Sequence, residues 1–115
     1  MRKTLLLTAA AIAAYLPLAQ AGFTGPSEQA GVSVEEAKKM PDDSHVVLRG
    51  KIEKSLGDEK YVFKDKTGSI QIEIDDDDWN GLNVSPEDLV EISGEVDTHM
   101  MKPTDIDVDS IRLVK

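Results

Sequence analysis

The chain of 115 residues carries 22 Asp and Glu against 13 Lys and Arg, a formal net charge of −9, and no cysteine. Hydrophobic residues make up 40% and aromatics 4%, which suits one small domain. Disulfide scaffolds, Cys-based zinc sites and thiol catalysis are excluded, and the acid surplus opposes binding to nucleic-acid phosphates or anionic headgroups.

The first segment reads as an export signal. Met1-Arg2-Lys3 is a positive start, Leu5 to Leu16 is apolar except for Thr8, and Pro17 ends the run. Leu18-Ala19-Gln20-Ala21 then places small residues where signal peptidase needs them, so cleavage is expected after Ala21. The run is shorter than the ~20 apolar residues of a membrane span. No stable membrane insertion is therefore expected after cleavage. Residues 1–21 hold about 15 of roughly 46 apolar residues, and also Arg2 and Lys3, so the remainder carries a charge of about −11. Without disulfides, a hydrophobic core must hold the exported domain.

Residues 22–32, beginning Gly22-Phe23-Thr24-Gly25-Pro26-Ser27, are rich in turn formers and read as a flexible leader. The folded domain is expected over 33–115. Ser33-Val34-Glu35-Glu36 has capping-box spacing and predicts a short helix to about Met40, stopped by Pro41. From His45 the period becomes two. Val46, Leu48, Gly50 and Ile52 form the inward set of a first strand, and Tyr61 and Phe63 that of a second after a turn at Gly57-Asp58. Asp65-Lys66-Thr67-Gly68 signals a tight hairpin, with Gly68 free to adopt positive φ.

Ile70, Ile72 and Ile74 line the inner face of a third strand. Trp79, Asn80-Gly81 and Ser85-Pro86 mark a helical turn and loop over 76–88. A fourth strand carries Val90, Ile92, Gly94 and Val96. A fifth carries Ile106 and Val108, then Ile111 and Leu113, and this odd step predicts a bulge near Asp109-Ser110. Three strands in a meander, a short helical insertion and two more strands give a mainly β domain, a small five-stranded OB-fold barrel with a short N-terminal helix. Gly50 and Gly94 suit strands that coil around a narrow barrel.

Several segments in this order resemble the bacterial OB-fold (BOF) family, the YgiW/YdeI-type stress-tolerance proteins. They are Gly22-Phe23-Thr24-Gly25-Pro26, Val47-Leu48-Arg49-Gly50-Lys51-Ile52, and Tyr61-Val62-Phe63-Lys64-Asp65 with Thr67-Gly68. Trp79-Asn80-Gly81, Val90-Glu91-Ile92-Ser93-Gly94-Glu95-Val96-Asp97 and Ile106-Asp107-Val108 complete the set. The resemblance implies a soluble periplasmic protein, an OB barrel with an extra N-terminal helix, and a part in tolerating envelope or chemical stress. It implies no reaction and no transferable site residue.

OB-folds bind ligands across strands two and three and the flanking loops. On that face the outward residues are Lys64, Gln71, Glu73 and Asp75. Trp79 nearby is either a stacking platform or a lid over one barrel end. Single-stranded nucleic acid needs a basic groove with exposed aromatics, which this face lacks. The expected partner is a cationic ligand such as a cationic peptide, or an envelope component or protein.

Asp75-Asp76-Asp77-Asp78 and Asp105, Asp107 and Asp109 are the densest acidic features; neither fits a calcium-loop pattern. The strand set would share one solvated side at spacings of about 7 Å, guarding a sheet edge. Together the clusters make a diffuse acidic surface that attracts cations. His99-Met100-Met101 lies in the loop before the fifth strand and is a candidate soft-metal set; the alternative is that both methionines pack over the barrel end. No catalytic motif is present, no cofactor is expected, and the protein is read as a binding module rather than an enzyme; the alternative is a metal-binding or metal-buffering protein using His99, Met100 and Met101 or the aspartate clusters.

Overall fold

A computed structural model describes residues 31–115, and the expected export signal and most of the leader lie outside the described residues. The elements are α1 (Val34–Ala37), β1 (His45–Gly57), β2 (Lys60–Asp65), β3 (Gly68–Ile74), a 3-10 turn (Asp76–Trp79), β4 (Val90–Asp97) and β5 (Asp105–Leu113). The strands close into a barrel in the order β1-β2-β3-β5-β4. This is the expected five-stranded OB architecture.

The inner face is built by the period-two pattern. Val46, Leu48, Phe63, Ile72, Ile74, Val90, Ile92, Val96 and Ile106 have no exposed surface, and Ile52, Ile70 and Val108 are nearly as buried. Each pairing is antiparallel except one. β3 and β5 run parallel, with Gln71 opposite Asp105 and Ile74 opposite Val108. An odd number of strands cannot close with alternating directions throughout, so one parallel seam is unavoidable. Closure also removes the sheet edge that the strand aspartates would have guarded, because β5 is paired on both sides.

The expected bulge is present. Val108 pairs with Gly94 and Ser110 with Ser93, which leaves Asp109 as the extra residue. Ile111 and Leu113 then pack against the core beside Ile106 and Val108. β1 turns a corner along its length: its first half pairs with β4 and its second half with β2, with register breaks after Ile52 and Ser55.

The helix is shorter than expected. Its capping box forms, with the Glu36 amide donating to Ser33 Oγ and the Ser33 amide to Glu36 Oε1. After Ala37 the amides of Lys39 and Met40 donate to carbonyls three residues back, a tightened turn that ends the α-helix before Pro41. Val34 and Ala37 are fully buried, as their spacing implies. Ahead of the helix, Gly31 bridges to Val47 and the Val32 amide donates to the Val47 carbonyl, so these two residues run along β1.

Gly68 does not use that freedom: its φ is not positive, and the left-handed residues among the described ones are Gly57, Asp58 and Glu59 in the β1–β2 turn, with Asp43, Asn80 and Gly81 elsewhere. The turn before Gly68 is instead shaped by Asp65, whose Oδ1 accepts from the Thr67 amide at 2.7 Å, Thr67 Oγ1 at 2.6 Å and the Gly68 amide at 3.2 Å. The missing side chain of Gly68 leaves room for the Glu35 carboxylate of α1.

Candidate functional site: an acidic face and its loop

The outward residues of β3 and β5 stand side by side across the parallel seam, with Glu73 opposite Asp107. Glu59 enters from the β1–β2 turn. Its carbonyl accepts the Ile74 amide at 2.9 Å and its Oε2 accepts the Asp76 amide at 2.9 Å, so both chain and side chain are tied to the end of β3. One carboxylate oxygen each from Glu59, Glu73 and Asp75 falls within 4.8 Å of the others.

Crowded like charges make ionisation harder. The Glu59 carboxylate, then slight desolvation and the charges of Asp78, Asp77 and Asp76, hold the Asp75 carboxyl above its ordinary value. Partial desolvation, then Glu73, Asp109, Asp75 and Asp97, do the same for Asp107. Among the described residues, none of Glu59, Glu73, Asp75 and Asp107 takes part in an ion pair. Glu91 shows the opposite situation on another part of the barrel. Arg49 Nε and Arg112 Nε donate to it at 3.0 and 2.8 Å, and although desolvation pushes its carboxyl up, the two guanidinium groups bring it below the ordinary value.

The other residues singled out on the binding face have varied surroundings. Lys64 Nζ lies 3.5 Å from Glu53 Oε2, across the β1–β2 pair and away from the carboxylate trio. Gln71 sits between Val62 of β2 and Asp105 of β5. Trp79 is half-buried against the core, edge-on to Tyr61 with ring centroids 5.5 Å apart.

In the β4–β5 loop the imidazole of His99 turns toward carboxylates. Nε2 lies 3.1 Å from Asp105 Oδ1 and 3.7 Å from Asp97 Oδ2. Asp105 is thus set apart from Asp107 and Asp109, since His99 and the loop bury it. Met100 and Met101 do not cap the barrel; they are 98% and 93% exposed.

Sequence reasoning singled out Glu73, Asp75 and His99 but missed Glu59 and Asp97 as their neighbours. Both depend on pairing rather than on local pattern. Glu59 reaches Asp75 only because β1 and β2 join where β3 ends. Asp97 meets Asp105 only through the β4–β5 register.

The bacterial OB-fold (BOF) family matches residues 14–113. The chain is 45% identical to protein YgiW of Escherichia coli K12 over 83% of its own length and 82% of the relative's. It is 36% identical to the calcium-regulated OB-fold protein CarO of Pseudomonas aeruginosa, again over 83% and 82%. The solved structure of the hypothetical protein ygiW from E. coli superposes with a TM-score of 0.72 at 48% identity, covering 83% of this chain and all of that one. No helix among the described residues is long and apolar enough to cross a membrane. In sequence, strand order and barrel closure alike, the chain belongs to the bacterial OB-fold (BOF) family.

Proposed function

We propose that the protein is an exported module of the periplasm that uses its acidic OB face to hold a polycationic ligand, in the service of envelope or chemical stress tolerance. The ligand is a cationic peptide, or a cationic segment of a protein or envelope component. The observation that supports this reading is the set of Glu59, Glu73, Asp75 and Asp107, crowded enough to hold two of their carboxyls above the ordinary range. A ligand bearing several ammonium or guanidinium groups relieves that repulsion on binding, and its association is steered by the surrounding negative field. The same field repels phosphate backbones.

A fluorescent decalysine peptide titrated into the protein tests the reading. Binding is expected at low salt and is expected to weaken steeply toward about 1 M salt, where the Debye length shrinks to about 3 Å. The double variant Glu73→Gln, Asp107→Asn should bind about 3–10-fold more weakly, since exposed charges contribute a few tenths to about one kcal/mol each. Equal affinity for the variant, or affinity indifferent to salt, overturns the proposal.

The Glu59, Glu73 and Asp75 oxygens within 4.8 Å of one another favour a second reading, a hard divalent cation held by oxygen ligands. Calcium titrated against the bound peptide separates the two. Displacement at a fixed one-to-one stoichiometry supports the cation, whereas displacement that merely follows ionic strength supports the peptide.

A further inference from the structure

A second convergence of ligating atoms lies in the β4–β5 loop and shares no residue with the carboxylate trio. We propose that Asp97, His99 and Asp105 form a mononuclear site for a borderline divalent cation of the zinc type. His99 Nε2 is 3.1 Å from Asp105 Oδ1 and 3.7 Å from Asp97 Oδ2, and one atom from each residue lies within 4.8 Å of the others. A tetrahedral zinc ion with bonds of about 2.0–2.1 Å sets its ligand atoms about 3.3–3.5 Å apart. Both imidazole–carboxylate distances thus already lie within about 0.4 Å of that spacing.

The donor set selects the metal. One imidazole nitrogen and two carboxylate oxygens suit zinc and its neighbours, with water completing the shell. Calcium asks for six to eight oxygens, and soft monovalent copper asks for sulfur. The thioethers of Met100 and Met101 stand almost wholly in solvent while the imidazole faces oxygen, so the metal chemistry of this loop is set by the carboxylates.

The framework is rigid where it has to be. Asp97 and Asp105 are register partners at the last rung of the β4–β5 ladder. His99 follows Asp97 by two residues, and the loop between them is pinned by the Thr98 amide donating to Asp42 Oδ1 at 2.8 Å. Asp105 is the buried member of this trio. It is the one charged residue buried among the described residues, with its side chain 9% exposed. A buried carboxylate is costly unless a cation faces it. A bound metal ion would place a positive charge directly against the buried Asp105 carboxylate.

Zinc chloride titrated into the protein, followed by imidazole 1H–15N correlation spectra, tests the site. His45 is the internal reference, because its Nε2 lies 3.3 Å from Ser93 Oγ and away from both carboxylates. The His99 signals should shift and saturate at one equivalent of zinc while those of His45 stay in place. In a chromophoric chelator competition, His99→Gln and Asp97→Asn should each weaken zinc by about 10–100-fold, and the double variant Met100→Ala, Met101→Ala should leave it within about twofold. Asp105→Asn tests the buried ligand, with a circular dichroism spectrum to show that the barrel is retained. Equal zinc affinity in His99→Gln, or a His99 signal unmoved by zinc, overturns the site and leaves His99 as a hydrogen-bond partner of Asp105. The Glu73→Gln, Asp107→Asn variant should keep zinc binding intact, so this result and the peptide result are read separately.

Discussion

At the scale of single residues, two glycines decide whether the strands can approach as closely as they do. A Cβ at Gly94 would fall on the Asp107 carbonyl oxygen and crowd Val108 Cα, and one at Gly50 would fall on the Lys64 carbonyl oxygen. The nearest obstructing atom is backbone in both cases, so it cannot rotate away as the end of a flexible side chain would; at Gly50 the buried Phe63 ring crowds the Cβ as well. Gly94 also sits beside the register break that leaves Asp109 unpaired, where β5 is re-aimed. Gly94→Ala should therefore destabilise the barrel by about 1–3 kcal/mol, read as a lower urea midpoint. Since alanine is otherwise better tolerated in a strand than glycine, an unchanged or raised midpoint would show that the close approach is not rigid.

At the scale of elements, the four-residue helix shows how a segment too short to be stable alone is held by its surroundings. Its first three amides are taken up in turn: Val34 donates to Asp65 Oδ2 at 2.9 Å, Glu35 to Thr67 Oγ1 at 3.2 Å, and Glu36 to Ser33 Oγ at 3.1 Å. Two of the three acceptors belong to the β2–β3 hairpin, so Asp65 both shapes its own turn and docks α1. Asp65→Ala leaves the amides of Val34, Thr67 and Gly68 without that acceptor and should cost about 1–3 kcal/mol in urea unfolding. Loss of the dock should also raise amide exchange at Val34 and Glu35 well above that of β4. Unchanged exchange there would assign the docking to the burial of Val34 and Ala37 alone.

This element marks the boundary of what was legible in the chain. Ser33 and Glu36 announced the capping box, because a box is a relation between residues three apart. The partner residues Asp65 and Thr67 lie about thirty positions away, and no local pattern contains them. The strands were legible for the same reason as the box. Ile70, Ile72 and Ile74 repeat every second residue, and the odd step from Val108 to Ile111 located the bulge at Asp109. The site was legible only in part. Glu73, Asp75, Asp107 and His99 could be singled out by type and strand position, but their neighbours Glu59 and Asp97 are delivered by the β1–β2 turn against the end of β3 and by the β4–β5 ladder. His99 beside two methionines suggested sulfur chemistry. The register instead placed it against two carboxylates, a choice that exposed loop residues cannot reveal in sequence.

At the scale of the whole molecule, the excess negative charge is distributed so that different carboxyls push stability in opposite directions with pH. Asp65 and Glu91 are held below their ordinary 3.8 and 4.5: desolvation pushes each up, but the hydrogen bonds of Thr67, Val34 and Gly68 in one case and the two arginines in the other outweigh it. Their contribution is present above those values and is lost as pH falls through the lower folded ones. Asp107 works the other way. Its carboxyl is held above 3.8, so the folded barrel takes up this proton more readily than the unfolded chain does, and stability declines as pH rises from 3.8 through the folded value. Near pH 7 the full repulsion from Glu73, Asp109, Asp75 and Asp97 opposes the fold, reduced by solvent because Asp107 is exposed. Asp107→Asn removes that repulsion. The variant should have a higher urea midpoint than the parent near pH 7, and the gain should shrink at high salt. It should also shrink as pH is lowered through the folded value toward 3.8, where the parent's own carboxyl becomes neutral. A gain of the same size at every pH would trace the effect to packing of the amide, and no gain near pH 7 would show that water and counterions already screen the acidic face in the free protein.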